Sequence, residues 1–279
     1  MKLSTKKIIS KILIYLIIIL GAITMLIPFL WMISTSLKSG PETIKIPPIW
    51  IPKVLRWSNY VAAWHAAPFG RYFINSIIVT IVTTVGQLFT SILAAFAFSK
   101  LKFWGKNIVF MIFLGTMMVP SEMLIIPNFV TLSRMHLINT YPALILPYLA
   151  SFFTVFTLRQ TFQAVPDQIY YAAKIDGASD WRFLWTILVP LSKSGITAVA
   201  VLQVISCWNA FMWPLIVTNS NTMRTLPVGL QAFTTDAGTT YQLLMAASTF
   251  VIIPMVILYL FLQKYIIAGI SKSGSGLKG

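Results

Sequence analysis

Few residues in this sequence could carry chemistry, and their neighbours point to binding rather than bond-making. Asn209 follows Trp208 and precedes Phe211 and Trp213. An amide hydrogen-bonds hydroxyls and an aromatic face stacks on a C–H surface, so Asn209, Trp208 and Trp213 suit contact with a sugar. The competing role for such an amide is glue between helices, worth about 0.6 kcal/mol per contact. Glu122 lies just after Pro120 in an apolar stretch. A carboxylate costs about 2.5–3.5 kcal/mol at the bilayer centre and less near the interface. Glu122 is therefore either an outward-snorkelling group or part of a transport path. His65 and His136 fall in separate loops, so no metal site is expected. No G-x-x-x-x-G-K-[ST] phosphate loop occurs, and no Ser/His/Asp set can be assembled on one side of a membrane. No pair of intramembrane acids or histidines suggests a proton relay. Cys207 is the single cysteine and forms no internal bridge.

The elements that position these residues follow from composition. Of 279 residues, 57% are hydrophobic and 10% charged, whereas a soluble domain carries about 25% charged residues. A soluble enzyme, a disordered chain and a disulfide scaffold are excluded. Five runs contain no Asp, Glu, Lys or Arg: Ile12–Leu37, Tyr72–Ser99, Met135–Leu158, Ser194–Met223 and Ala237–Gln263. Each exceeds the roughly 20 apolar residues that cross a bilayer as a helix. A sixth stretch, from Asn107 to Ser133, is interrupted by Glu122. The expectation is an all-α membrane protein: one transmembrane domain over 1–279, with six transmembrane helices at about 12–34, 73–98, 107–127, 140–160, 195–217 and 242–264. The first run is too long for a signal-peptide core of about 7–15 residues, and no A-x-A site follows it.

The basic residues orient the spans. With the N-terminus inside, cytoplasmic segments hold 14 of the 21 Lys and Arg, and outer segments hold 7. Both termini are therefore expected in the cytoplasm. This placement accounts for much of the net charge of +15 and leaves no basic stripe for nucleic acid. The outer loop Ser39–Gly70 contains five prolines and Trp50, Trp57 and Trp64. Proline forbids a continuous helix there, and tryptophan suits the lipid–water boundary.

The cytoplasmic loop 160–193 between spans four and five is the most distinctive segment. Pro166 and Asp167 begin a helix, with proline in the first turn and an acid at the positive end of the dipole. At about 100° per residue, Ile169, Ala172, Ala173 and Asp176 share one face. Tyr171 points the other way. Gly177 then permits a left-handed turn, and a second helix carries Trp181, Phe183, Leu184 and Trp185 towards the membrane, ending near Pro190. From spacing alone, this hairpin is either an interfacial cover for the span ends or a docking element.

The string YAAKIDGASDWRFLWTILVPLSKSG resembles the EAA loop of ABC importer membrane subunits, E-A-A-x(3)-G-x(9)-I-x-L-P. Ala172, Ala173, Gly177, Ile187 and Pro190 match, and Val189 takes the leucine position. Ile175–Ala178, Trp208-Asn209 and Thr225–Leu230 are similar to the carbohydrate, maltose-type branch, so the resemblance spans essentially the whole chain. Tyr171 stands where the family has glutamate.

The resemblance implies a permease subunit forming half of an alternating-access pore for a sugar or sugar derivative in a prokaryotic plasma membrane. It implies ATPase coupling through Ile169, Tyr171, Ala172, Ala173, Asp176 and Gly177, as cytoplasmic coupling helices. Contact with an extracellular solute-binding protein would run through Thr225, Leu226, Pro227 and Gly229. The implied partners are a second, homologous permease chain, two ATPase subunits holding ATP and Mg, and membrane lipid; this chain itself carries no cofactor. The flexible tail 271–279 would reach between the ATPases. The alternative is a self-sufficient secondary carrier or a scaffold subunit, against which stand the missing relay and the alanine-bearing hairpin.

Overall fold

The computed structural model describes the backbone of residues 5–235 and 238–274, with side chains from Ser10 as far as Phe261 and at Gln263. The chain divides into two compact units: Met1–Pro68 with Leu230–Ile253, and Phe69–Gly229 with Pro254–Gly279.

In the first unit, α1 (Thr5–Ser36) carries Lys6, Lys7 and Lys11 in its first turns and is predominantly apolar from Ile12 onward. Ile12 to Leu20 are all more than half exposed, an apolar surface suited to lipid. At its end Lys38 is fully buried, with its ammonium 3.8 Å from the Trp31 ring centre. The short α2 (Gly40–Thr43) follows. The Glu42 carboxylate accepts from both the backbone N–H and the hydroxyl of Ser39 at 2.9 Å, which holds it below the ordinary carboxylate range. The amide of Asn59, on α3 (Ser58–Ala66), donates to the carbonyls of Ser36 and Lys38 at 2.8 Å. Between α2 and α3 the proline-rich stretch is irregular, as expected. Trp64 packs edge-on against Phe250 at 5.2 Å. A two-residue antiparallel ladder, Thr234–Thr235 with Gly238–Thr239, is the only strand pairing among the described residues.

The second unit is built around α4 (Phe69–Ser99), a 31-residue helix that packs along α8 and α12. The chain between them bends at defined breaks. α5 (Lys106–Thr116) turns by 91° into a 3-10 turn, Ser121–Leu124, and α6 (Ile125–Arg134). Pro120 starts the turn because its fixed φ and missing N–H end a helix. α7 (Tyr141–Ile145) bends by 47° into α8 (Phe152–Gln163), which Ser151 caps through the N–H of Thr154. α9 (Asp167–Ile175) and α10 (Asp180–Phe183) form the loop hairpin. A π turn at Leu184–Leu188 and α11 (Val189–Leu191) lead through an 81° bend at Ser192 into α12 (Lys193–Trp208). α13 (Met212–Val217) and α14 (Leu226–Gly229) follow, and α15 (Tyr241–Gly274) runs through both units.

The architecture is mostly helical; among the described residues three helices are long and apolar enough to cross a membrane, or up to six if each bent pair is one span. Three expected spans are thus broken rather than straight. The span expected over 195–217 ends at Trp208, and Met212–Val217 is a separate short helix. The tail boundary also moves. Ser271–Gly274 continues α15, and 275–279 lie outside the described residues. The core of this unit gathers Phe96, Phe110, Leu158, Phe162, Phe183 and Leu188. It lies directly under the hairpin.

Candidate functional site: the loop hairpin and an aromatic cavity

The hairpin begins where the sequence places it. Pro166 is the N-cap of α9 and Asp167 occupies its first turn. Asp167 does more than complement the dipole. Its carboxylate lies 2.6 Å from the ammonium of Lys100, whose side chain is 1% exposed. The same ammonium donates to the Val165 carbonyl at 2.6 Å. Arg159 stands beside this anchor, its Nε donating to the Phe98 carbonyl at 3.0 Å and its guanidinium 4.1 Å from the Phe110 ring centre.

Ile169, Ala172, Ala173 and Asp176 line one groove of about 370 Å³, together with Arg182 and Thr186 from the second arm. Ile169, Ala172 and Asp176 are exposed. Ala173 is not. It is buried at 6% exposure and packs into the core, so it is the floor of the groove rather than a presented surface, which corrects its place in the expected docking face. Tyr171 is outside the groove and half exposed, its ring 5.8 Å from that of Tyr170.

Gly177 has φ +76, the left-handed turn expected of it, and ends α9. A polar knot then ties the two arms. The Tyr170 hydroxyl donates to Asp180 at 2.7 Å, and Lys174 pairs with the same carboxylate at 2.7 Å. These bonds hold Asp180 below the usual carboxylate range. Burial, helped by Asp180, pushes the Tyr170 phenol up to about 12. Phe183, Leu184 and Leu188 anchor the second arm in the core, while Trp181 remains exposed.

A cavity of about 450 Å³ opens elsewhere in this unit. Tyr148, Phe211 and Trp213 give it aromatic walls; Ser76, Gln203 and Thr225 give it polar ones. Glu122 and Cys207 also line it. Of the expected pathway residues, Glu122 and Trp213 are therefore brought together. Trp213 is itself buried, its indole N–H donating to the Ala143 carbonyl at 3.0 Å. Asn209 and Trp208 are not among the lining residues. Asn209 caps α12 and donates one amide hydrogen to the Ile205 carbonyl at 3.0 Å. Trp208 is buried edge-on to Phe73 at 5.9 Å.

The stretch from Thr225 to Gly229 is a plug rather than a surface. Asn75 donates to the carbonyls of Thr222 and Arg224 at 2.9 and 2.8 Å, and the N–H of Leu226 donates to Ser76 at 2.8 Å. Leu226 and Val228 are fully buried, and Thr225, Pro227 and Gly229 are also buried. This corrects the expectation that Thr225, Leu226, Pro227 and Gly229 themselves touch a binding protein. Asn219, Asn221 and Thr222, just before this stretch, are exposed. Sequence reasoning also missed Lys100, Tyr170 and Asp180, which looked like ordinary loop residues; only the fold brings their partners within reach. Among the described residues no cluster suited to a metal is found.

Residues 87–272 match the family described as binding-protein-dependent transport system inner membrane component. The chain is 35% identical over 252 residues to the arabinooligosaccharides transport system permease protein AraQ of Bacillus subtilis, covering 89% of this chain and 90% of AraQ. It is 32% identical over 268 residues to the sn-glycerol-3-phosphate transport system permease protein UgpE of Yersinia pestis, covering 93% and 95%. Its fold is similar to a chain of a bacterial ABC transporter involved in the import of alginate, with a TM-score of 0.82 at 24% identity over 95% of this chain and 99% of that one.

Proposed function

Because the chain belongs to the inner-membrane components of binding-protein-dependent transport systems, the permease subunits of ABC importers, we propose that it forms half of a pore for a sugar or sugar derivative. Its partners are a second permease chain, two ATPase subunits that hold ATP and Mg, and an extracellular solute-binding protein. The spans number six, with both termini in the cytoplasm, in keeping with the bias of Lys and Arg towards those loops. Relatives that carry arabinooligosaccharides and sn-glycerol-3-phosphate in their names support a polyhydroxylated cargo.

The observation that carries the reading is the hairpin groove. It is presented by a short helix, α9, tied to the end of α4 through Asp167 and Lys100 and to the second arm of the hairpin through Asp180. An ATPase surface seated on Ile169, Ala172, Asp176 and the Gly177 turn moves the hairpin as nucleotide brings the ATPases together. The anchors pass that movement to α4 and α12, and the pore alternates its opening. Tyr171 replaces the family's glutamate outside the groove, so it removes one polar contact and leaves the seat intact. Residues 275–279 add a second contact between the ATPases.

Co-purification tests this. The intact chain should recover an ATPase from its native membrane, and Ala172→Glu should abolish recovery while the permease still inserts. Recovery of the ATPase with the variant at wild-type yield would sink the assigned seat.

A further inference from the structure

The aromatic cavity carries charge of one sign. Glu122 is the single charged side chain among its lining residues. Its carboxylate accepts from the hydroxyl of Ser121 at 3.3 Å and makes no ion pair among the described residues. Of the basic groups nearest in sequence to the other lining residues, neither Arg224 nor Arg71 lines the cavity, and Arg71 donates to the Thr222 carbonyl at 3.3 Å. The hydroxyl of Thr225 lines the cavity, is buried at 4% exposure, and has no hydrogen-bond partner among the described residues. Ser76 accepts from the Leu226 N–H and keeps its own hydrogen to donate. Tyr148 and Phe211, each 38% exposed, add apolar faces.

A buried, unsatisfied hydroxyl costs free energy unless something bonds it. Hydroxyl groups and C–H faces are what a glycan offers. A phosphate or uronate would meet an unpaired carboxylate with no cationic side chain among the lining residues to offset it. We infer that this cavity takes uncharged, hydroxyl-rich cargo and that Glu122 is the residue that rejects anionic cargo. The inference rests on the importer reading for the identity of the cavity as a cargo site.

Cys207 lines the same cavity and is the only cysteine of the chain, so it reports the local potential without engineering. Membranes holding the assembled transporter are treated with cationic or anionic methanethiosulfonates of equal size, and the Cys207 peptide is quantified by mass spectrometry. In the wild type the cationic reagent should react faster, and Glu122→Gln should cut the ratio of rates about tenfold, as one charge at cavity range implies. A neutral oligosaccharide should slow labelling in both proteins; an oligouronate should do so only in the variant. An unchanged ratio in Glu122→Gln, or a Cys207 that neither reagent reaches, overturns the inference. ATP-driven uptake by the same membranes scores the importer reading separately: its absence alongside a shifted ratio would sink that reading alone.

Discussion

The ammonium of Lys100 and the carboxylate of Asp167 stand 2.6 Å apart, joining the end of α4 to the first turn of α9. The lysine side chain is almost completely buried and the aspartate largely exposed. This asymmetry makes the lysine the costly partner to lose. Its charge-assisted bonds to Asp167 and Val165 are worth about 1.5–3 kcal/mol each before the exposed end is discounted for solvent. Lys100→Met should therefore loosen residues 165–176, read as faster amide hydrogen exchange there. Asp167→Asn should do less, because the Val165 carbonyl still accepts.

Gly177 should tolerate asparagine but not valine. Nothing would touch an added Cβ at this position, so the whole penalty is conformational. A left-handed φ costs an ordinary residue about 1–2 kcal/mol, and a β-branched one more. Gly177→Val should reduce uptake and ATPase binding while membrane insertion stays normal. Normal uptake would mean that the turn does not set the hairpin's geometry.

Ala173→Glu should be worse than Tyr171→Ala on two readouts. Ala173 is buried in the core, where an added carboxylate would be both bulky and unpaired. Tyr171 is half exposed and outside the groove. The first variant should lower the melting temperature of the purified protein and its ATPase affinity together; the second should change neither by much. Equal affinities would remove the distinction between the two faces of α9.

The knot of Tyr170, Lys174 and Asp180 gives the hairpin a defined pH window. Asp180 has its pKa lowered from 3.8, so its stabilisation is present above that value and is lost as pH falls below it. Tyr170 has its pKa raised from 10.0 to about 12, so its contribution is present below 10.0 and is lost as pH rises through about 12. Hydrogen exchange of the hairpin should be insensitive to this knot between those limits. In Asp180→Asn the acid limb should disappear; its persistence would assign the acid response to another group.

Gly229→Ala should destabilise the buried plug. An added Cβ would lie 2.5 Å from the ring of Tyr72, so helix α4 or the plug must shift. Overpacking of this kind costs about 1–3 kcal/mol. The expected result is a lower melting temperature that Tyr72→Leu partly restores. A variant as stable as the wild type would show that the plug has room the packing does not suggest.

Much of this protein was legible in the residues alone. Charge-free runs fall on the three helices long and apolar enough to cross a membrane, because burial in lipid demands apolar length whatever the neighbours are. Pro166, Asp167 and Gly177 marked the start and end of α9, because caps and left-handed turns depend on local backbone chemistry. The groove stripe of Ile169, Ala172 and Asp176 followed from helical period alone.

Tertiary structure decided the rest. Asn209 read as a cargo residue because its neighbours are aromatic, yet the cavity walls come from Ser76, Tyr148 and Thr225 among others, and Asn209 is not one of them. The segment Thr225–Gly229 read as a presented loop, yet Asn75 and Ser76, some 150 positions away in the chain, draw it inside. Lys100 read as one more cytoplasmic charge until Asp167 and Val165 were seen around it. Each of these depends on a partner distant in sequence, and period, capping and composition carry no information about such partners.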